Sequence, residues 1–168
     1  HRTVLLIDEI DKADTDFQDD MLDVLDQMEF DIIEIDKTMS ARHRPVIIIT
    51  SNAKKDLSDP FLGRCNFHHI AFPDPKMMRK IIGVHFPDIH DDLVDNAIAA
   101  FYHMRELEAV EKRPATRELI NWIRALNADP DFKPKRLAKG DVPFLGVLFK
   151  KSGDYERASA FVNRRKMF

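Results

Sequence analysis

The chain has 168 residues, 44% of them apolar and 33% charged, which is the composition of an ordinary soluble protein with one domain or a core plus an appendage. Its five glycines are few, and none is followed by Lys, so neither a G-x-x-x-x-G-K-[ST] phosphate loop nor a G-x-G-x-x-G turn is present, which excludes a self-contained nucleotide-binding fold of the usual kind. The net charge of −3 argues against nucleic acid as a partner, the single Cys65 excludes an internal disulfide and favours a reducing, cytoplasmic setting, and no apolar run approaches the roughly 20 residues that span a bilayer.

In chain order, Thr3–Ile7 is a β-branched and leucine run that reads as a buried strand of a parallel sheet, ending in Asp8-Glu9. Asp14 or Thr15 is placed to cap a helix running to about Glu29, with Phe17, Met21, Val24, Leu25 and Met28 inward. Phe30–Ile35 has strand character, 36–44 is polar, and Val46–Thr50 is a second buried strand, so 30–49 reads as a hairpin-like excursion before the sheet resumes. A polar loop, a helical turn at Pro60–Arg64 and a strand at Phe67–Phe72 follow. At Pro73-Asp74-Pro75 the pattern changes, as two prolines suit a linker. Beyond it lie helices at Lys76–His85, from Asp91 or Asp92 with Leu93, Ala97, Ile98, Phe101 and Met104 inward, and from Pro114 or Thr116 with Leu119, Ile120, Trp122, Ile123 and Leu126 inward. Residues 129–141 read as a loop, 143–150 as a short helix or extended piece, and 154–165 as a terminal helix.

Charge is unevenly spread. Residues 8–36 hold thirteen acids and one base, Lys12, whereas 132–168 hold ten bases and three acids. A solvated helix face and a solvated helix end account for both; contact between subunits is the sharper alternative.

Two strand ends carry the chemistry. Val4-Leu5-Leu6-Ile7-Asp8-Glu9 delivers two carboxylates to the rim of a sheet, where open α/β folds bind ligands; one can hold Mg²⁺, and the next can polarise a water for phosphoryl transfer. Val46-Ile47-Ile48-Ile49-Thr50-Ser51-Asn52 delivers an amide able to orient water and donate to a phosphate oxygen. Arg64, in Asp59-Pro60-Phe61-Leu62-Gly63-Arg64-Cys65, can neutralise phosphate charge or form a surface ion pair. Arg117 opens the third helix of the second half, against the preference of the helix dipole, which suits an anion partner. His68-His69, His85 and His90 lack a metal-site spacing, and adjacent strand residues point to opposite faces.

Taken together, LLIDEIDKAD, VIIITSN, DPFLGRC and FPDP, in this order across residues 2–127, resemble the AAA+ ATPases, and more closely their MoxR-type branch. The resemblance implies the C-terminal half of a P-loop α/β core over 1–73, an all-helical lid over 74–128 and a basic extension over 129–168. It makes Asp8 and Glu9 the Walker B pair, as Mg²⁺ ligand and catalytic base. Asn52 matches sensor 1, Arg64 an arginine finger acting on the ATP of the adjacent subunit, and Arg117 sensor 2. It implies ATP and Mg²⁺ as cofactors, a hexameric ring of identical subunits, and remodelling or maturation of a protein client, of the kind that carries a von Willebrand A domain. The Walker A half is not among these residues, and the chain does not begin like a native N-terminus. A piece of a longer protein is therefore expected, one that does not hydrolyse ATP alone although the intact protein does. A non-catalytic interaction module on the same scaffold and a nucleic-acid-acting AAA+ loader or helicase are the alternatives.

Overall fold

The computed structural model describes residues 3–53 and 55–165. Arg2, Lys54 and the end of the basic tail, 166–168, lie outside the described residues. The architecture is mixed α/β, and the chain divides into two compact units, 1–70 and 71–168.

In the first unit, strand β1 (Val4–Ile7) pairs in parallel with β4 (Val46–Ile49), Val4 opposite Val46 and Ile7 opposite Ile49. Parallel neighbours need a crossover, and residues 8–45 supply it. A 3₁₀ turn (Ile10–Lys12) leads into α1 (Thr15–Gln27). Met28 ends α1 in the left-handed region (φ 57°), its N–H returning to the Val24 carbonyl. No basic residue lies in the last turn of α1, but Arg44 donates to the Leu25 carbonyl at 2.9 Å and brings a cation to that end of the helix. β2 (Glu29–Ile32) and β3 (Lys37–Ser40) then form an antiparallel hairpin, and the short α2 (Asp59–Gly63) follows β4.

Four expectations are corrected here. The hairpin partner of β2 is 37–40, not 46–50, because β4 is already paired with β1. Phe67–Phe72 is not a strand; no described strand offers it a ladder, and Phe67 and Ile70 are exposed. β1 and β4 are not buried: Val4, Leu6 and Ile48 are at least half exposed, since a two-stranded sheet without a layer on each face cannot enclose its side chains. Finally, α1 buries Gln18 and Leu22, while Phe17 is exposed. Leu22 packs with Ile10 and Phe61 in the small core of this unit, and the buried Gln18 amide donates to the Ile10 and Ala13 carbonyls at 3.5 and 3.3 Å.

The second unit is helical. Asp74 caps α3 (Pro75–His85) by accepting the Met77 N–H at 2.7 Å, with Pro75 in the first turn, where its missing N–H costs nothing; such a cap contributes about 1 kcal/mol. α4 (Asp91–Arg105) buries the stripe expected of it, and α5 (Thr116–Ala128) buries Leu119, Trp122, Ile123 and Leu126 but leaves Ile120 only partly covered; the fully buried Trp122 donates its indole N–H to the Pro143 carbonyl at 2.7 Å. α6 (Lys135–Ala138), a short helix within the stretch 129–141 expected to be a loop, joins α7 (Leu145–Leu148) and α8 (Ser152–Arg165) in adding Leu137, Leu145, Leu148, Ala158 and Val162 to the same core. Asp154, in the first turn of α8, is buried and accepts the Glu111 and Lys112 N–H groups at 2.9 and 3.1 Å. Tyr102 donates to the Pro73 carbonyl, and the Arg105 guanidinium lies 3.5 Å from the centre of the Phe72 ring, fastening the start of the unit to α4. No helix among the described residues is long and apolar enough to cross a membrane.

Candidate functional site

The parallel register of β1 and β4 brings the ends of both strands to the same edge of the sheet. Asp8-Glu9 leaves β1 there, and Thr50-Ser51-Asn52 leaves β4 beside it. The turn is drawn tight by backbone bonds: the Thr50 N–H donates to the Ile7 carbonyl at 2.9 Å, and the Ile10 N–H donates to the Thr50 carbonyl at 3.0 Å. Closing this turn puts Glu9 in the left-handed region, at φ 54° and ψ 49°. A side chain with a Cβ pays about 1 kcal/mol or more for that conformation, and such outliers cluster at functional sites.

The polar groups interlock. The Glu9 N–H donates to Thr50 Oγ1 at 2.9 Å, and the Thr50 hydroxyl donates in turn to Asp8 Oδ1. Asn52 Nδ2 donates to Glu9 Oε1 at 2.7 Å. Lys12 pairs with the other oxygen, Glu9 Oε2. The Lys12 ammonium is held above its ordinary pKa, first by this hydrogen bond and then by the Glu9 charge. Beneath them Asp11, only 1% exposed, accepts the Asn52 N–H on Oδ1 at 3.1 Å. That bond anchors the loop after β4, from which the exposed Asn52 side chain reaches Glu9.

Asp8, Glu9 and Asn52 are thus brought together. Arg64 is the C-cap of α2 in the same unit, where its Nε donates to Asp26 Oδ2 at 2.8 Å and an Nη to the Pro60 carbonyl at 3.0 Å. Both partners of the Arg64–Asp26 pair are nearly half exposed, so the pair contributes at most about 1 kcal/mol and releases the guanidinium cheaply. Arg117 belongs to the second unit, exposed in the first turn of α5, where the Glu118 carboxylate accepts the Ala115 N–H at 3.0 Å and caps the helix.

Thr50 and Asp11 are the members that sequence reasoning did not single out. Their signal was present in the polar tip of VIIITSN and in the last Asp of DEID, but only the fold shows that Thr50 meets the Asp8-Glu9 turn and that Asp11 meets the loop after β4.

No family model matches the chain, and no curated protein matches it. Among the described residues no three His, Cys, Asp or Glu side chains are grouped to enclose a metal. Mg²⁺ does not demand such a cage, since it keeps several waters and takes one or two carboxylates together with substrate phosphates. Asp8, exposed at the strand end with Oδ1 committed to Thr50, presents the hard oxygen chemistry that this mode requires.

Proposed function

We propose that residues 1–70 belong to the P-loop α/β core of a MoxR-type AAA+ ATPase and that the helical residues after them include its lid. The observation that carries this reading is the convergence of Asp8, Glu9 and Asn52 at the tips of two adjacent parallel strands, with the Asn52 amide on the Glu9 carboxylate. One carboxylate for a metal, a neighbouring carboxylate for a water and an amide to orient it are the protein groups that nucleotide hydrolysis needs, because phosphoryl transfer is governed by positioning and electrostatics.

In this reading Asp8 holds Mg²⁺ through its carboxylate, and the ion, when bound with ATP, neutralises charge on the phosphates. Glu9 accepts the proton of the attacking water. Asn52 holds Glu9 in place and orients the water. Arg64 leaves Asp26 to reach the nucleotide of a neighbouring subunit in a hexameric ring, and Arg117 senses the γ-phosphate. The backbone cradle and lysine that hold ATP are not among these 168 residues. The product is mechanical work on a protein client, for which a von Willebrand A domain protein is the class proposed, in the cytoplasm.

The test is the sequence and activity of the whole gene product. A G-x-x-x-x-G-K-[ST] loop encoded ahead of His1, together with Mg²⁺-dependent ATP hydrolysis by that product, supports the reading. An uninterrupted upstream sequence without such a loop, or a product that neither binds nor hydrolyses ATP, overturns it.

A further inference from the structure

Thr50 lies one residue beyond β4 and is held on four sides. Its backbone N–H is bound to Ile7 and its carbonyl to Ile10, so its Cα is fixed against both sides of the Asp8-Glu9 turn. From that position the hydroxyl accepts the Glu9 N–H at 2.9 Å and donates its single proton to Asp8 Oδ1. A hydroxyl has one proton to give, so giving it to Asp8 leaves only lone pairs for the Glu9 N–H; the two bonds select each other's direction. The β-branched side chain has few rotamers, which keeps the oxygen between its two partners.

Two consequences follow for the carboxylates. Asp8 has one oxygen committed to Thr50, and its other oxygen meets no hydrogen-bond donor among the described residues. Glu9 has its left-handed backbone held at the amide by Thr50, while its carboxylate accepts from Asn52. Neither effect requires Thr50 to touch a substrate.

We infer that Thr50 is a positioning residue whose hydroxyl sets the relative orientation of the Asp8 and Glu9 carboxylates; this rests on the reading of that pair as metal ligand and base. Serine keeps the hydroxyl, whereas valine keeps the shape and removes it.

The experiment compares Thr50→Val, Thr50→Ser and Glu9→Gln in the whole gene product. Without nucleotide, hydrogen exchange at the Glu9 amide is expected to rise about tenfold in Thr50→Val and to stay near wild type in Thr50→Ser, since only valine orphans that donor. In steady-state ATP hydrolysis, kcat is expected to fall about 10- to 100-fold in Thr50→Val with KM for ATP within about threefold, and to be retained in Thr50→Ser, because misplaced catalytic groups cost kcat. Unchanged Glu9 exchange in Thr50→Val, a serine variant as impaired as the valine one, or a loss confined to KM overturns the inference. If Glu9→Gln is inactive while Thr50→Val turns over normally, the role of Thr50 falls and the functional reading stands. If Glu9→Gln turns over like wild type, the functional reading itself falls. Should Thr50→Val lose the wild-type melting transition, Thr50→Ala, which also lacks the hydroxyl without adding apolar bulk, is measured in its place.

Discussion

Asp11 is where the site and the stability of its unit meet. Its carboxylate is 1% exposed and accepts the Asn52 N–H at 3.1 Å. Asp11→Ala removes an acceptor from a part-buried donor at the end of β4. A hydrogen bond to a charged group contributes about 1.5–3 kcal/mol, and a donor left unsatisfied costs about 1–3 kcal/mol. These describe one loss from two sides, so the expected cost is about 2 kcal/mol. Asp11→Asn keeps a carbonyl acceptor of the same shape, and about 1 kcal/mol is expected. The core of this unit is small, with Ile10, Leu22 and Phe61 as its buried apolar residues, so such a loss is a large share of its stability. The assay is urea unfolding followed by the methyl signals of Ile10 and Leu22, which report this unit specifically. With a slope of about 2 kcal/mol per molar urea, the midpoint should move down by about 1 M for alanine and by about half that for asparagine. A shift below about 0.25 M for Asp11→Ala, or an asparagine variant less stable than the alanine one, would refute the argument that Asp11 acts as an acceptor.

Two further outcomes concern the helical unit. Trp122→Phe removes the indole donor from the Pro143 carbonyl and leaves part of a fully buried volume empty, for an expected loss of about 2–4 kcal/mol by circular dichroism melts; a loss under about 1 kcal/mol would contradict the packing described. Asp154 is held below the ordinary carboxylate pKa of 3.8, chiefly by the Glu111 N–H, then by the Lys112 N–H and the Lys151 and Arg157 charges, against the opposing effect of burial. A depressed folded pKa means stability that is present above the unfolded pKa and lost as pH falls through the folded one. The melting midpoint, read by the fluorescence of the single Trp122, should therefore drop below about pH 4, and Asp154→Asn should flatten that acid limb. An identical acid limb in the variant would show that other groups cause it.

The sequence was most legible where one physical signal dominated. α4 and α5 carry stripes of helical period, and every side chain expected inward on them except Ile120 is buried. β1 is a Val-Leu-Leu-Ile run and β4 a Val-Ile-Ile-Ile run, each ending at a polar tip, and they pair. Legibility failed where tertiary pairing decides. Lys37-Thr38-Met39-Ser40 has no strand pattern of its own and becomes one only opposite β2. Phe67–Phe72 has the pattern but no strand pairs with it among the described residues. In α1, several apolar stripes fit the helical period, and the one chosen is set by where Ile10 and Phe61 lie, which also admits Gln18 because its amide meets two carbonyls. The same division holds at the site. Asp8, Glu9 and Asn52 stand out as polar tips of apolar strands, whereas the roles of Thr50 and Asp11 depend on which strand lies next to which.

The central claim is that Glu9 is the base of a nucleotide-hydrolysing site. Glu9→Gln in the whole gene product tests it most directly, because glutamine keeps an oxygen for the Asn52 amide and cannot take a proton. Removal of a general base is expected to lower kcat about 10²- to 10⁴-fold, with the dissociation constant for ATP within a few-fold of wild type. Turnover equal to that of the wild type would contradict the account.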